Sequence, residues 1–332
     1  MAVTVRSFAK INLSLRIGAR RPDGFHELRT VYQTVALHDL VRVHAATGTG
    51  IEIRCDDPRV PTGPTNTCHR IARLTMDALR ARGGVVIEME KRVPVQGGLG
   101  GASANAVATM LALERVLRKS LSAEEKMRIA AEVGSDLPLF LIGGTVLGVG
   151  RGEEVYPLPE LPAIPCVIAT PEIGVSTPQA FADWDTLSAA GKLTPRAGSD
   201  KINELGREVS AWLSSRSRPR RVGRASSGVP AGGRGRAEIL LLDLVHTGIA
   251  NDFEPVVFSK HPELREVKAA LERAGAMYAS LSGSGSAVYG LFRGGAAAKN
   301  AAVRLRKTGT AAAATSTLTR SQYWRKFPVS GF

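Results

Sequence analysis

At 332 residues, with 44% hydrophobic and 22% charged side chains, the chain can bury a sizeable core in two domains, which excludes a disordered or fibrous protein. No apolar run is long enough to span a bilayer, and the first residues enter a strand pattern directly, without a leader-like apolar block. Three scattered cysteines, Cys55, Cys68 and Cys166, form no CxxC pair, so neither a disulfide framework nor a zinc site is indicated and a cytoplasmic protein is expected.

The net charge of +14 raises nucleic acid as a partner, but its distribution argues against one. Seven arginines, Arg216, Arg218, Arg220, Arg221, Arg224, Arg234 and Arg236, fall within residues 214–236 without a single acid. The segment is rich in Gly, Ser and Pro and poor in large apolar side chains, so it reads as a disordered or mobile insertion. No aromatic residues interleave with the arginines, as a single-strand binder would need. A solvated loop is the preferred reading, and an RNA-binding arm the alternative.

In chain order, residues 3–17 predict a strand or a strand pair. Ile11, Leu13, Leu15 and Ile17 alternate with Lys10, Asn12, Ser14 and Arg16. Pro22-Asp23-Gly24 is a turn, and residues 30–43 predict a second strand. Residues 66–82 look helical, and 85–92 predict a strand that feeds a glycine-rich loop. A helix follows over 103–118, then another from a capping box at Ser122 and Glu125 to a stop at Gly134. Four prolines in 157–165 mark a domain boundary, giving expected domains of 1–158 and 159–332. The second half holds a short strand at 166–169, a helix opening at Thr177, a helix at 262–274, a small-residue turn at 280–286, a strand at 287–292 and a terminal strand at 316–326. The mixed pattern without internal repeats predicts an α+β protein.

The loop Pro94-Val95-Gln96-Gly97-Gly98-Leu99-Gly100-Gly101-Ala102-Ser103-Ala104 carries the most functional information. Glycines let successive N–H groups converge on an anion, and the helix behind adds its positive dipole end. The loop is thus suited to phosphates, although GxxxxGK[ST] fails for want of a Lys and GxGxxG breaks after Gly101. Phosphoryl transfer also needs a group that orients or deprotonates the attacking hydroxyl. Asp136, in Gly134-Ser135-Asp136-Leu137-Pro138, reads equally as that carboxylate or as a helix N-cap. Lys10 taken alone reads as a solvent-facing strand lysine.

The glycine loop resembles that of the GHMP kinases, which phosphorylate small-molecule hydroxyls with ATP. Ala9-Lys10-Ile11-Asn12-Leu13 with Arg21-Pro22-Asp23-Gly24-Phe25-His26-Glu27-Leu28 resembles the opening of one family among them, the 4-diphosphocytidyl-2-C-methyl-D-erythritol kinases. Gly134-Ser135-Asp136-Leu137-Pro138, Gly174-Val175-Ser176-Thr177, Asn251-Asp252-Phe253-Glu254-Pro255 and Leu281-Ser282-Gly283-Ser284-Gly285-Ser286 follow in the same order. The resemblance implies a GHMP kinase fold, with an N-terminal ribosomal-protein-S5-like domain and a C-terminal ferredoxin-like domain. It implies ATP and Mg²⁺ as cofactors and phosphorylation of the 2-hydroxyl of 4-diphosphocytidyl-2-C-methyl-D-erythritol. Homoserine or mevalonate kinase activity is the alternative within the superfamily.

Residue by residue, it implies Lys10 and Asp136 as the catalytic pair and residues 94–104 around ATP. Asn12 would bind the erythritol part, His26 the cytosine edge, and Thr177 the substrate. Phe25, Tyr32 and Phe181 would pack on the base, although Phe25 and Phe181 also suit a core. Gln96 and Ala102 stand where the family often has glycine, which implies a less close approach of a loop amide to the phosphates. Only Ser103 remains as a loop serine for Mg²⁺.

Overall fold

The computed structural model describes residues 1–191 and 249–332. The arginine-rich stretch at 214–236 therefore lies outside the described residues. The first two strands, β1 (Ala2–Arg20) and β2 (His26–Ala46), form a long antiparallel pair at the centre of a seven-stranded mixed sheet. On β2 are added β4 (Gly84–Glu90), paired in parallel with β3 (Gly50–Cys55), and β5 (Thr145–Val149), which carries β6 (Glu154–Pro157). Four helices accompany this half: α1 (Thr67–Ala78), α2 (Gly101–Leu117), α3 (Ala123–Val133) and α4 (Leu137–Ile142). They share one apolar core with the sheet.

The second sheet is antiparallel, in the order β10 (Ala312–Ser316), β7 (Pro165–Ala169), β9 (Val288–Leu291), β8 (Tyr278–Leu281). One face of β7 and β9, through Cys166, Ile168, Tyr289 and Leu291, packs on Ile11, Leu13, Val31 and Val35 of the first sheet. The other face is covered by α5 (Thr177–Ala189), α6 (Glu254–Lys260), α7 (Pro262–Arg273) and α8 (Gly295–Lys307). The order helices, sheet, sheet, helices is the expected two-domain α+β class.

Strand β1 serves both halves. Its pairing with β2 shifts register between Phe8 and Lys10. Val3, Val5 and Phe8 enter the helix-covered core, whereas Ala9, Ile11 and Leu13 enter the core between the sheets. Such irregularities re-aim the side chains beyond them. The alternation in β1 is real, but both of its faces are covered. Lys10, Asn12 and Ser14 are buried, not solvated.

The end of the chain corrects one expectation. Residues 316–326 do not form one terminal strand. Thr319 caps a helix, α9 (Arg320–Lys326), with Gln322 completing a reciprocal capping box. The chain then forms β11 (Pro328–Ser330), which pairs with β1, and Tyr323 donates to the Phe140 carbonyl. The last residues thus join the first sheet.

Candidate active site

The glycine loop leaves β4 and turns into α2. Gly98 (φ 71°) and Gly100 (φ 68°) are left-handed, and Gly100 is the N-cap of α2. A Cβ at Gly98 would overlap the Ser282 carbonyl oxygen and stand 2.9 Å from that of Gly285. A Cβ at Gly100 would press on Lys10 and Phe140 at 3.0 Å. The loop is held from both sheets. Lys10 N donates to Leu99 O (2.9 Å), Ala287 N to Gly97 O (3.1 Å) and Ser282 Oγ to Gly98 O (3.0 Å). Gly98→Ala should therefore lower stability by roughly 1–3 kcal/mol and raise KM for ATP, which thermal unfolding and initial rates would report.

Gln96 also takes a left-handed φ of 61°. The loop keeps a glycine-like backbone there despite the side chain, at a cost of roughly 1–2 kcal/mol.

Two cavities meet on the loop. The first, about 320 Å³, is lined by loop residues from Pro94 to Ser103 and by Asn66, Cys68, Met89, Lys91 and Asn105. The second, about 370 Å³, holds Lys10, Asn12, Tyr32, Asp136, Phe25, His26, Thr177 and Phe181. Gly98, Gly100 and Ser103 line both. Ala104 lines neither. Its amide closes the first helical bond to Gly100 O (2.8 Å).

The first cavity suits a nucleotide. Asn105 is buried, and its Oδ1 has no partner, so an acceptor awaits an N–H donor there. Lys91 pairs with the fully buried Asp39, whose Oδ1 also accepts from Arg92 N (2.6 Å) and Val93 N (2.7 Å). This carboxylate fixes both the lysine and the entry to the loop. Burial pushes the Cys68 thiol up to about 12, so it stays a thiol. Among the described residues no cluster of three or more His, Cys, Asp or Glu side chains forms a metal cage. Ser103 is the loop hydroxyl that lines both cavities.

In the second cavity Lys10 Nζ donates to Asn12 Oδ1 (2.6 Å) and lies 3.4 Å from Asp136 Oδ2. Asp136 does occupy the N-cap position of α4, but its side chain makes no capping bond. It accepts instead from the Tyr32 hydroxyl at 3.0 Å and keeps about a third of its side-chain surface open. Burial, and then the Asp136 charge, hold the Tyr32 phenol well above its ordinary pKa, so it stays a donor. Tyr32, expected beneath a base, is turned to the carboxylate. Asn12 Oδ1 accepts from Lys10 Nζ and one N–H of its Nδ2 donates to Thr30 Oγ1 (2.7 Å), which holds the amide in place beside the lysine.

At the other end His26 is buried against Phe181, with centroids 5.0 Å apart and planes 8° apart. Phe25 is 51% exposed at the rim, with the Arg151 guanidinium 4.9 Å from its ring centroid. Thr177 Oγ1 bonds Ser284 Oγ (2.7 Å), tying α5 to the small-residue turn.

Residues 66–144 match the family model of the GHMP kinases N terminal domain, and 237–311 that of the GHMP kinases C terminal domain. A 4-diphosphocytidyl-2-C-methyl-D-erythritol kinase of Solibacter usitatus is 39% identical over 87% of this chain and 81% of its own length. One of Moorella thermoacetica is 33% identical, over 95% and 99%. The chain belongs to the 4-diphosphocytidyl-2-C-methyl-D-erythritol kinase family. A crystal structure of a 4-(cytidine 5'-diphospho)-2C-methyl-D-erythritol kinase superposes with a TM-score of 0.69 at 29% identity, covering 95% of this chain and 98% of that one. A homoserine kinase from Cytophaga hutchinsonii superposes equally well (TM-score 0.70) at 21% identity, covering 96% and 95%, which speaks for the fold alone.

In this member of the 4-diphosphocytidyl-2-C-methyl-D-erythritol kinase family, several site residues escape sequence reasoning. Lys91 carries a weak signal, as a lysine ending the strand before the loop. Arg151 and Thr30 line the second cavity but sit in unremarkable sequence contexts, and Ser284 lies there within the small-residue turn, which the sequence marks without giving the serine a role. The Asn251-Asp252 motif acts as a staple. Asn251 Nδ2 donates to Leu281 O and Gly283 O (2.8 Å each), and Asp252 Oδ2 accepts from Ile17 N (3.1 Å).

Proposed function

We propose that the chain transfers the γ-phosphoryl group of ATP to the 2-hydroxyl of 4-diphosphocytidyl-2-C-methyl-D-erythritol, giving the 2-phosphate and ADP. The observation that carries this reading is the Lys10–Asp136 pair, standing where the second cavity meets the glycine loop. Asp136 takes the proton of the hydroxyl as its oxygen attacks the γ-phosphorus and ADP leaves. Tyr32 and Lys10 aim that carboxylate. Lys10, steadied by Asn12, also faces the charge that gathers on the transferred group. The amides of residues 97–103 hold the triphosphate at the start of α2. The Ser103 hydroxyl would help hold Mg²⁺ beside the phosphates, where the ion would supply charge neutralisation.

His26, Phe181 and Phe25 form the base end of the substrate site, and Thr177 closes it from α5. The partners are these two small molecules, with no nucleic acid, and the setting is the cytoplasm. His26→Ala should raise KM for the cytidine substrate by roughly 5–150-fold and leave KM for ATP unchanged, because a base edge loses its polar partner. Initial rates with each substrate varied in turn check this. The function itself is tested by ADP release against a panel of the cytidine substrate, homoserine and mevalonate. Turnover confined to the cytidine compound supports it. Turnover of homoserine or mevalonate alone would replace it with another GHMP kinase activity.

A further inference from the structure

Two residues of α5 hold His26. Phe181 lies parallel to the imidazole, and Asp185, one turn later, approaches Nε2 through Oδ1 at 2.8 Å. Residues four apart share a helix face, so one helix grips the ring by its face and its edge. A carboxylate has no proton to give, so Nε2 is the donor. In the neutral ring this fixes the tautomer and leaves Nδ1 a bare acceptor, with no partner among the described residues. The Asp185 side chain is 43% exposed, so the pair adds little to stability. Asp185 does not line the cavity, whereas His26 does. What the bond does achieve is orientation.

A base edge that meets Nδ1 must therefore supply an N–H. We propose that Asp185 sets base specificity as a positioning residue: by fixing the His26 tautomer it makes the site accept a 4-aminopyrimidine and reject a 4-oxopyrimidine. The exocyclic amine of the first donates to Nδ1. The carbonyl of the second would set one lone pair against another. The inference rests on the proposed activity and names the residue behind its choice of base.

Binding of CDP and UDP to the full chain, measured by calorimetry, tests it. Wild type should prefer CDP by roughly 5–150-fold, the effect of one unpaired polar edge. In Asp185→Ala either tautomer is open, so that ratio should fall toward one. In Asp185→Lys, which has only donors to offer Nε2, Nδ1 becomes the donor and the preference should invert. Nitrogen NMR of wild-type His26 should show Nε2 protonated and Nδ1 bare. A residue that merely braced the fold would weaken both nucleotides alike. Equal weakening, an unchanged ratio in Asp185→Ala, or a protonated Nδ1 in the neutral wild-type ring overturns the proposal. Failure of the underlying activity looks different: wild type would then leave the cytidine substrate unphosphorylated whatever residue 185 is.

Discussion

Asp136→Asn is expected to lower kcat by roughly 10²–10⁴-fold, the usual contribution of a positioned general base. The amide keeps the shape of the carboxylate but neither takes a proton nor carries its charge. It also sets an N–H₂ toward groups that now donate to it, the Tyr32 hydroxyl and Lys10 Nζ. ATP binding should survive, because the first cavity does not include Asp136. Asp136→Ala separates catalysis from capping. A true N-cap would cost about 1 kcal/mol on truncation to Ala. With no capping bond in place, any fall in melting temperature comes from leaving the buried Tyr32 hydroxyl and Lys10 without their acceptor, while turnover collapses. Near wild-type turnover in Asp136→Asn would remove this residue from the chemistry.

Lys10→Ala should lower kcat by roughly 10²–10³-fold, as loss of a preorganised charge partner does. It also leaves Asn12 Oδ1 and Asp136 without their cation. Lys10→Arg should not restore full activity. The pocket fits a slim stem, since even a Cβ on Gly100 would lie 3.0 Å from Lys10 Cγ. A planar guanidinium would displace the hydroxyl that Lys10 serves. Because Lys10 and Asp136 act as a unit, the double variant should be little worse than the worse single one. Single-turnover kinetics with saturating ATP would give these rates directly. Full activity in Lys10→Ala would return the residue to a packing role.

Local pattern exposed much of this site. The alternation in β1, the glycine loop before α2, and the stop at Gly134 before Asp136 all lie within short windows, where period and turn chemistry operate. What those windows hide is what covers each face. Lys10 looks solvated from its strand, and only the loop folding back onto β1 buries it. The bond from Asp185 to His26 joins segments 159 residues apart, with no local mark on either. At 316–326 the β-prone Thr, Tyr and Trp outweighed the Thr319–Gln322 capping box, which decided for helix. Helix α8 passed unread because its buried side is alanine, with Ala298, Ala301 and Ala302 giving little apolar contrast.

Phosphorus NMR of the product tests the central claim most directly. With ATP and 4-diphosphocytidyl-2-C-methyl-D-erythritol, one new phosphomonoester should appear in step with ADP, with the substrate's diphosphate intact. The 2-carbon bears the methyl branch and no hydrogen, so the new resonance should be a singlet without proton decoupling. A resonance split by neighbouring C–H protons would place the phosphate on another hydroxyl. That result, or no new phosphomonoester while homoserine or mevalonate is consumed, would contradict the account.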